Sequence, residues 1–174
     1  MAHRQRSGDG QLTFLAPEDA ALLQLVRENL RLLAELRPSY RPVAHGEPGA
    51  HQVRSPQDVA DLLAPEMEML PQEQLRVILL DTRNRVLDVV MVYQGNVGSA
   101  VVRMAELFRD AIVANAPAVI LAHNHPSGDP TASDDDVRIT KDAAQAAKLL
   151  SIDLLDHVIL GHGRHVSLKE RGVL

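Results

Sequence analysis

Residues 118–136 constrain the fold of this chain more than any other stretch. The apolar run over residues 118–122 predicts a short, buried β-strand. It is followed by three residues that interrupt regular structure, Pro126, Gly128 and Pro130. Because proline lacks a backbone N–H and its ring clashes with a helix, the chain must turn here as a loop. Ser133 is a typical helix N-cap, so a helix is predicted to begin at Asp134.

Two histidines and an aspartate are placed by this pattern so that they can share one ligand. His123 and His125 are two residues apart, and alternate residues of an extended chain point to the same face. Asp136 falls in the first turn of the predicted helix, from which its carboxylate can be directed back at the strand end. A zinc ion held by two His and one Asp keeps its fourth position for water, as in catalytic sites. The sequence therefore predicts one catalytic Zn²⁺ per chain.

The spacing of these residues also resembles a known signature. His123 and His125, then seven residues, Ser133, two residues and Asp136 are similar to H-x-H-x7-S-x2-D of the JAMM (MPN+) metalloproteases at all four positions. The local sequence H-N-H-P-S-G-D-P, with Thr140 following, resembles that of the bacterial RadC branch, whose members carry the label of DNA repair proteins. The resemblance covers roughly residues 52–174. It implies an α/β fold with a mixed β-sheet flanked by helices, similar to that of cytidine deaminases.

Helix capping offers a metal-free interpretation of part of this pattern. Ser133 and Asp136 would suit an N-cap and a first helical turn with no metal nearby. Capping does not account for the paired histidines beside a loop rich in proline and glycine, so the metal interpretation is favoured.

Composition narrows the classes of function. The net charge of -5 and the sequence pI of about 5.9 disfavour the basic face that nucleic-acid binding normally needs. The chain has no cysteine, which excludes disulfides and thiolate zinc sites. No apolar run approaches the ~20 residues of a membrane span, and the N-terminus lacks the apolar core of a signal peptide. The expected location is therefore the cytoplasm, without membrane contact.

Four segments are predicted along the chain. They are a disordered polar tail at 1–16, a helix at 17–37, a linker rich in proline and glycine at 38–51, and the RadC-type JAMM/MPN domain at 52–174. The N-terminal helix carries an apolar stripe that includes Leu22, Leu25, Val26, Leu30, Leu33 and Leu36. This stripe either packs on its own domain or supports a homodimer. The helix-hairpin-helix region that RadC relatives often carry is expected to be absent, because residues 1–51 show only one helix.

Within residues 52–174, apolar periodicity and capping signals predict the remaining elements. Helices are expected at 56–63, ending before Pro65, and at 104–115, with Leu107, Phe108, Ala111 and Ile112 facing inward. A separate helical turn is expected at 66–70, and the helix that begins at Asp134 should run to about residue 150. Strands are expected at 75–81, 86–93, 152–160 and 165–168, the last two joined by a hairpin turn.

The resemblance also implies a glutamate close to the metal-bound water. Such a carboxylate takes a proton from the attacking water and can return it to the leaving amine. Glu73 lies just before the first core strand, where the family places this residue. Glu106, on the predicted helix at 104–115, is the other candidate. The resemblance also implies that Ser133 donates to the oxyanion of the reaction. One departure is local: relatives read P-R-E where this chain has Met104-Ala105-Glu106.

Three polar residues in apolar strands have other expected roles. Asn124 points to the opposite strand face from the two histidines and is not expected to bind metal. Asp156 and His157 are expected to make structural hydrogen bonds, with a supporting role beside the metal as the alternative.

Taken together, these features predict a zinc-dependent hydrolase of the JAMM type that cleaves an amide bond, with a peptide or an isopeptide-linked protein as substrate. His123, His125 and Asp136 would bind the metal, and Glu73 and Ser133 would be catalytic. Two alternatives stay open: a DNA-repair protein that acts on or binds nucleic acid, and a non-catalytic MPN scaffold.

Overall fold

Five strands form one mixed sheet in residues 51–95 and 102–174, which are the residues described by the computed structural model. The strands are β1 (Gln74–Leu80), β2 (Val86–Gln94), β3 (Ala118–Asn124), β4 (Asp153–Gly161) and β5 (Arg164–Ser167). Their order is β2-β1-β3-β4-β5, with β3 and β4 parallel and the other neighbours antiparallel. The helices are α1 (Pro56–Met67), α2 (Met104–Val113) and α3 (Asp134–Leu150). The predicted α/β class with a mixed, helix-flanked sheet is confirmed.

The two central strands are buried along their whole length, so the sheet has two packed faces. Alternate residues of β1, β3 and β4, among them Ile78, Ile120 and Val158, join the α1 side chains in one apolar cluster. On the other face, α2 contacts β1 and β2, α3 contacts β4, and the two helices contact each other. His123 and His157 belong to this second face, because their side chains connect to α3. The candidate metal-ligand residue His123 thus faces α3.

Helix α1 continues through a proline that was expected to end the helix. The helix extends to Met67 with Pro65 inside it, so the predicted end before Pro65 and the separate turn at 66–70 are wrong. A proline inside a helix removes one backbone hydrogen bond and strains the preceding turn. Here Leu63 and Met67, both fully buried, fix the turns on either side of the proline in the core. Tertiary packing therefore outweighs the local preference.

Helix α2 ends earlier than predicted, at Val113, and exposes two apolar residues of its last turn to solvent. Leu107, Phe108 and Ala111 are buried as expected, but Ile112 is 54% exposed, so its inward assignment is wrong. The side chain lies in the last turn, where its neighbour Val113 is also exposed. Helix α3 has the predicted bounds.

The predicted N-terminal tail, the predicted helix at 17–37 and most of the predicted linker lie outside the described residues, as do residues 96–101. Among the helices that are described, none has the length and apolar character needed to cross a membrane.

Candidate metal centre

The end of β3 and the first turn of α3 bring the three sequence-predicted ligand residues together. His123 is the last but one residue of β3, and the backbone N–H of His125 donates to the carbonyl of Leu160 on β4. Asp136 is the third residue of α3, which begins with a capping box. The Ser133 backbone N–H and hydroxyl both donate to Asp136 Oδ2, at 2.8 and 2.7 Å. The cap thus orients the carboxylate towards the histidines.

The donor atoms of these residues form a compact triangle. The Nε2 atoms of His123 and His125 are 2.9 Å apart, and they lie 3.2 and 3.6 Å from the Asp136 carboxylate oxygens. Ligands at ~2.0–2.1 Å from a tetrahedral zinc are separated by about 3.3–3.4 Å, so separations of 2.9 to 3.6 Å bring the three side chains close enough to share one ion after small shifts. His123 and Asp136 are buried, and His125 is partly exposed. The residues present therefore fit a metal ion that can be reached from solvent on one side.

The tautomer of His125 follows from its other ring nitrogen. Nδ1 lies 2.7 Å from the carbonyl oxygen of Asp129, which can only accept, so Nδ1 carries the proton. In neutral His125 the Nε2 atom therefore has a free lone pair that faces His123. Two imidazole nitrogens at 2.9 Å need between them either a metal ion or a proton, which the charged form of His125 supplies in metal-free protein.

Three pKa values reflect the close approach of these groups. Burial raises the pKa of Asp136, but the neighbouring His123 and His125 imidazoles outweigh it and hold that pKa far below its usual range. The hydrogen bond with Asp136 raises the pKa of His125. Burial, followed by the neighbouring His123, holds the pKa of His157 well below its usual value. The ionised Asp136 therefore gives the site a fixed negative charge that suits a cation.

The loop between β3 and α3 is held from both sides. Asp129 accepts from the N–H and hydroxyl of Thr131, which stabilises the turn after His125. The carbonyl of Gly128 accepts from the His162 backbone N–H and the Arg164 guanidinium in the β4–β5 hairpin, at 3.2 and 3.1 Å. These contacts fix the Asp129 carbonyl that sets the tautomer of His125.

With this geometry in place, comparisons with known proteins identify the family. The model of the RadC-like JAB domain matches residues 53–173. The chain belongs to this family.

The relatives that this RadC-like JAB domain matches are longer than the matched region. A protein of Chloroflexus aurantiacus named UPF0758 protein is 53% identical over 121 residues, which are 70% of this chain and 53% of that protein. UPF0758 proteins of Desulfitobacterium hafniense and Moorella thermoacetica are each 41% identical, over 95% and 100% of this chain and 67% and 78% of their own lengths. The chain thus spans about half the length of the Chloroflexus relative.

Glu73 lies close to the metal-ligand group of the JAB domain. Leu75 pairs with His123 and Arg76 with Ala122, so the same antiparallel register, continued beyond β1, sets Glu73 opposite His125. Glu73 is partly buried. After the Asp136 hydrogen bond, the charge of Glu73 is among the causes that raise the pKa of His125. The structure therefore brings the sequence-predicted base within electrostatic reach of a metal ligand.

The other candidate glutamate has different surroundings. The Glu106 side chain is 49% exposed and forms an ion pair with Arg103 at 3.2 Å. Ser133 is engaged in the cap, since its hydroxyl donates to Asp136 and accepts from the Asp136 N–H. The oxyanion role of Ser133 and the base role of Glu73 stay predictions.

Asp156 and His157 separate into two roles. Asp156 accepts from the Ser167 hydroxyl at 2.6 Å and from the Lys169 N–H at 3.1 Å, which is the expected structural role. His157 instead contacts the metal-ligand residue His123, at 2.9 Å from Nε2 to Nδ1. On its other side His157 contacts Thr140, for which the sequence predicted no role beyond its place in the RadC-like motif. The available signal was its spacing, because Thr140 lies one helical turn after Asp136.

Proposed function

We propose that this domain is a zinc-dependent hydrolase that cleaves an amide bond in a peptide or an isopeptide-linked protein. The observation that carries the proposal is the convergence of three side chains, two imidazoles and a carboxylate, whose ligand atoms lie within 4.8 Å of one another at the end of β3. Nitrogen and carboxylate donors in this number suit zinc with one position left for water.

The metal would be held by His123, His125 and Asp136. When bound, zinc supplies a Lewis acid that makes water a nucleophile near neutral pH. The chain's own residues then provide the proton transfers. Glu73, set opposite His125 by the strand register, takes a proton from the attacking water and returns it to the leaving amine. Ser133 holds Asp136 through the cap and, once its hydroxyl rotates, can donate to a developing oxyanion.

Metal content and turnover test this proposal together. The full-length chain, purified without chelator, should contain about one zinc, and the double variant His123→Ala/His125→Ala should contain none. Hydrolysis of a panel of fluorogenic peptides and isopeptide-linked conjugates should stop with chelator and return with added Zn²⁺. Full zinc in the double variant would overturn the metal site. Zinc binding without hydrolysis of any amide, or chelator-sensitive cleavage of branched DNA in its place, would overturn the amide assignment.

A further inference from the structure

We propose that Thr140 and His157 are positioning residues that hold His123 in the tautomer able to bind a metal. The inference rests on the metal site of the proposed function and deepens it. The residues form a chain of three hydrogen bonds that begins at the backbone carbonyl of one candidate ligand, Asp136, and ends at the side chain of another, His123.

The direction of the first hydrogen bond is fixed by chemistry. The Thr140 hydroxyl is 2.6 Å from the backbone carbonyl of Asp136, and a carbonyl can only accept. The hydroxyl has a single proton, so it donates to the carbonyl. The hydroxyl must therefore accept its second hydrogen bond, at 2.6 Å, from His157 Nδ1. Nδ1 of His157 thus carries the proton.

The direction of the second hydrogen bond follows. His157 is 1% exposed, and its two ring nitrogens are bonded to a hydroxyl and an imidazole, neither of which is anionic. A buried imidazole in such surroundings is neutral, because burial disfavours the charged form. Its Nε2 atom then has only a lone pair. His123 Nδ1, 2.9 Å away, must donate to it, which leaves Nε2 of His123 without a proton.

Control of the His123 tautomer matters because the neighbouring Asp136 carboxylate favours the opposite tautomer, with the proton on Nε2. Nε2 of His123 lies 3.2 Å from Asp136 Oδ1, so a proton on Nε2 would gain a charge-assisted hydrogen bond. That proton would occupy the position of the metal. The hydrogen bond to His157 opposes this tautomer, and Thr140 determines which nitrogen of His157 can accept. Asp136 and His123 are also joined by this chain of hydrogen bonds, so a change at Thr140 should affect both.

Two matched pairs of variants test the inference. Thr140→Val removes the hydroxyl at nearly constant shape, whereas Thr140→Ser keeps it. His157→Leu removes both hydrogen bonds, whereas His157→Gln can still accept from His123 and donate to Thr140. Zinc affinity is measured by competition with a chromophoric chelator, using the full-length protein. We expect Thr140→Val and His157→Leu to weaken zinc binding by about 10- to 100-fold, and the Ser and Gln variants to stay close to wild type.

A spectroscopic measurement separates tautomer control from a general loss of packing. In metal-free protein labelled with ¹⁵N-histidine, the ring nitrogen shifts should show His123 protonated at Nδ1 in wild type and in Thr140→Ser. In Thr140→Val the proton should move to Nε2. Equal affinity and an unchanged tautomer in Thr140→Val would overturn the inference. If Thr140→Val does not fold, the His157 pair decides by the same two measurements.

The same experiment distinguishes this inference from the proposed function. A wild-type protein that binds no zinc would refute the metal proposal, while the tautomer measurement would still decide the role of Thr140. Wild-type zinc binding that Thr140→Val leaves unchanged would refute the positioning role alone.

Discussion

The side-chain oxygen of Asn124 accepts a hydrogen bond at 2.8 Å from the backbone N–H of Gln74. The Asn124 amide nitrogen donates to the carbonyl of Gln72 at 3.2 Å, so the two bonds bracket Glu73. Asn124 is fully buried and lies between His123 and His125. One tripeptide therefore supplies two candidate metal-ligand residues and fixes the backbone on either side of the proposed base.

Replacement of Asn124 by Ala should separate metal binding from catalysis. We expect zinc content to persist, because the ligands remain, and kcat to fall, because Glu73 loses its backbone anchor. The buried backbone N–H of Gln74 and the partly buried carbonyl of Gln72 would lose their partners, so the free energy of unfolding should fall by about 1–3 kcal/mol. The measurements are metal content, thermal unfolding and turnover. Gln94→Ala is the control, since it removes only an exposed bond to Gln72; an equal loss of kcat there would contradict the role of Asn124.

The two glutamates should behave differently on conversion to Gln. Glu73→Gln should keep zinc and fold but lower kcat by at least ~10²- to 10⁴-fold, because an amide cannot accept the water's proton. Glu106→Gln should retain most turnover and at most raise KM, since Glu106 lies on the surface of α2 in an ion pair with Arg103. Steady-state kinetics on an amide substrate found in the panel would check both. An inactive Glu106→Gln beside a fully active Glu73→Gln would show that the base is misassigned.

Gly161→Ala should disturb the metal site from the β4–β5 hairpin. A Cβ there would lie 2.5 Å from the Gly128 carbonyl oxygen and 2.7 Å from Pro130 Cδ, so the ligand loop would have to shift. We expect about 1–3 kcal/mol of destabilisation and weaker zinc binding. Gly163→Ala is the matched control: its positive φ of 66° makes Ala unfavourable, but nothing lies within 4 Å of the added Cβ. It should lower stability while zinc affinity is unchanged. Equal zinc affinity in both variants would disprove the coupling.

The N-cap of α1 should contribute a measurable pH dependence of stability. Hydrogen bonds from the Arg54 N–H and then the Ser55 hydroxyl lower the pKa of Asp58. A lowered folded-state pKa stabilises the fold above the usual Asp pKa of ~3.9, and this stabilisation is lost as pH falls through the folded value. Asp58→Asn should therefore lower the free energy of unfolding by about 0.5–1 kcal/mol at pH 7, with the difference shrinking below pH ~4. Urea unfolding across pH, with Asp61→Asn on the same helix as the charge control, measures this. A difference that stays constant with pH would argue against the capping carboxylate.

Local signals allowed several features to be predicted closely. Helix α3 begins and ends where its cap and periodicity indicated, because Ser133 and Asp136 form the capping box within four residues of each other. The same signals failed at Pro65 and Ile112, where packing of neighbouring turns, rather than residue preference, decided the outcome.

The sequence by itself determined the ligand group, since a strand, a loop and a helix start within residues 123–136 leave little freedom in how His123, His125 and Asp136 meet. Only the tertiary structure decided what supports that group. His157 reaches His123 from 34 residues away, and Asn124 reaches Gln74 from 50 residues away, through strand register. Because β1 and β3 are buried on both faces, the apolar runs over residues 77–80 and 118–122 show no alternation with polar residues that would reveal which side chains share a face. The partners of a buried polar residue in such a strand are fixed only when the strands pair.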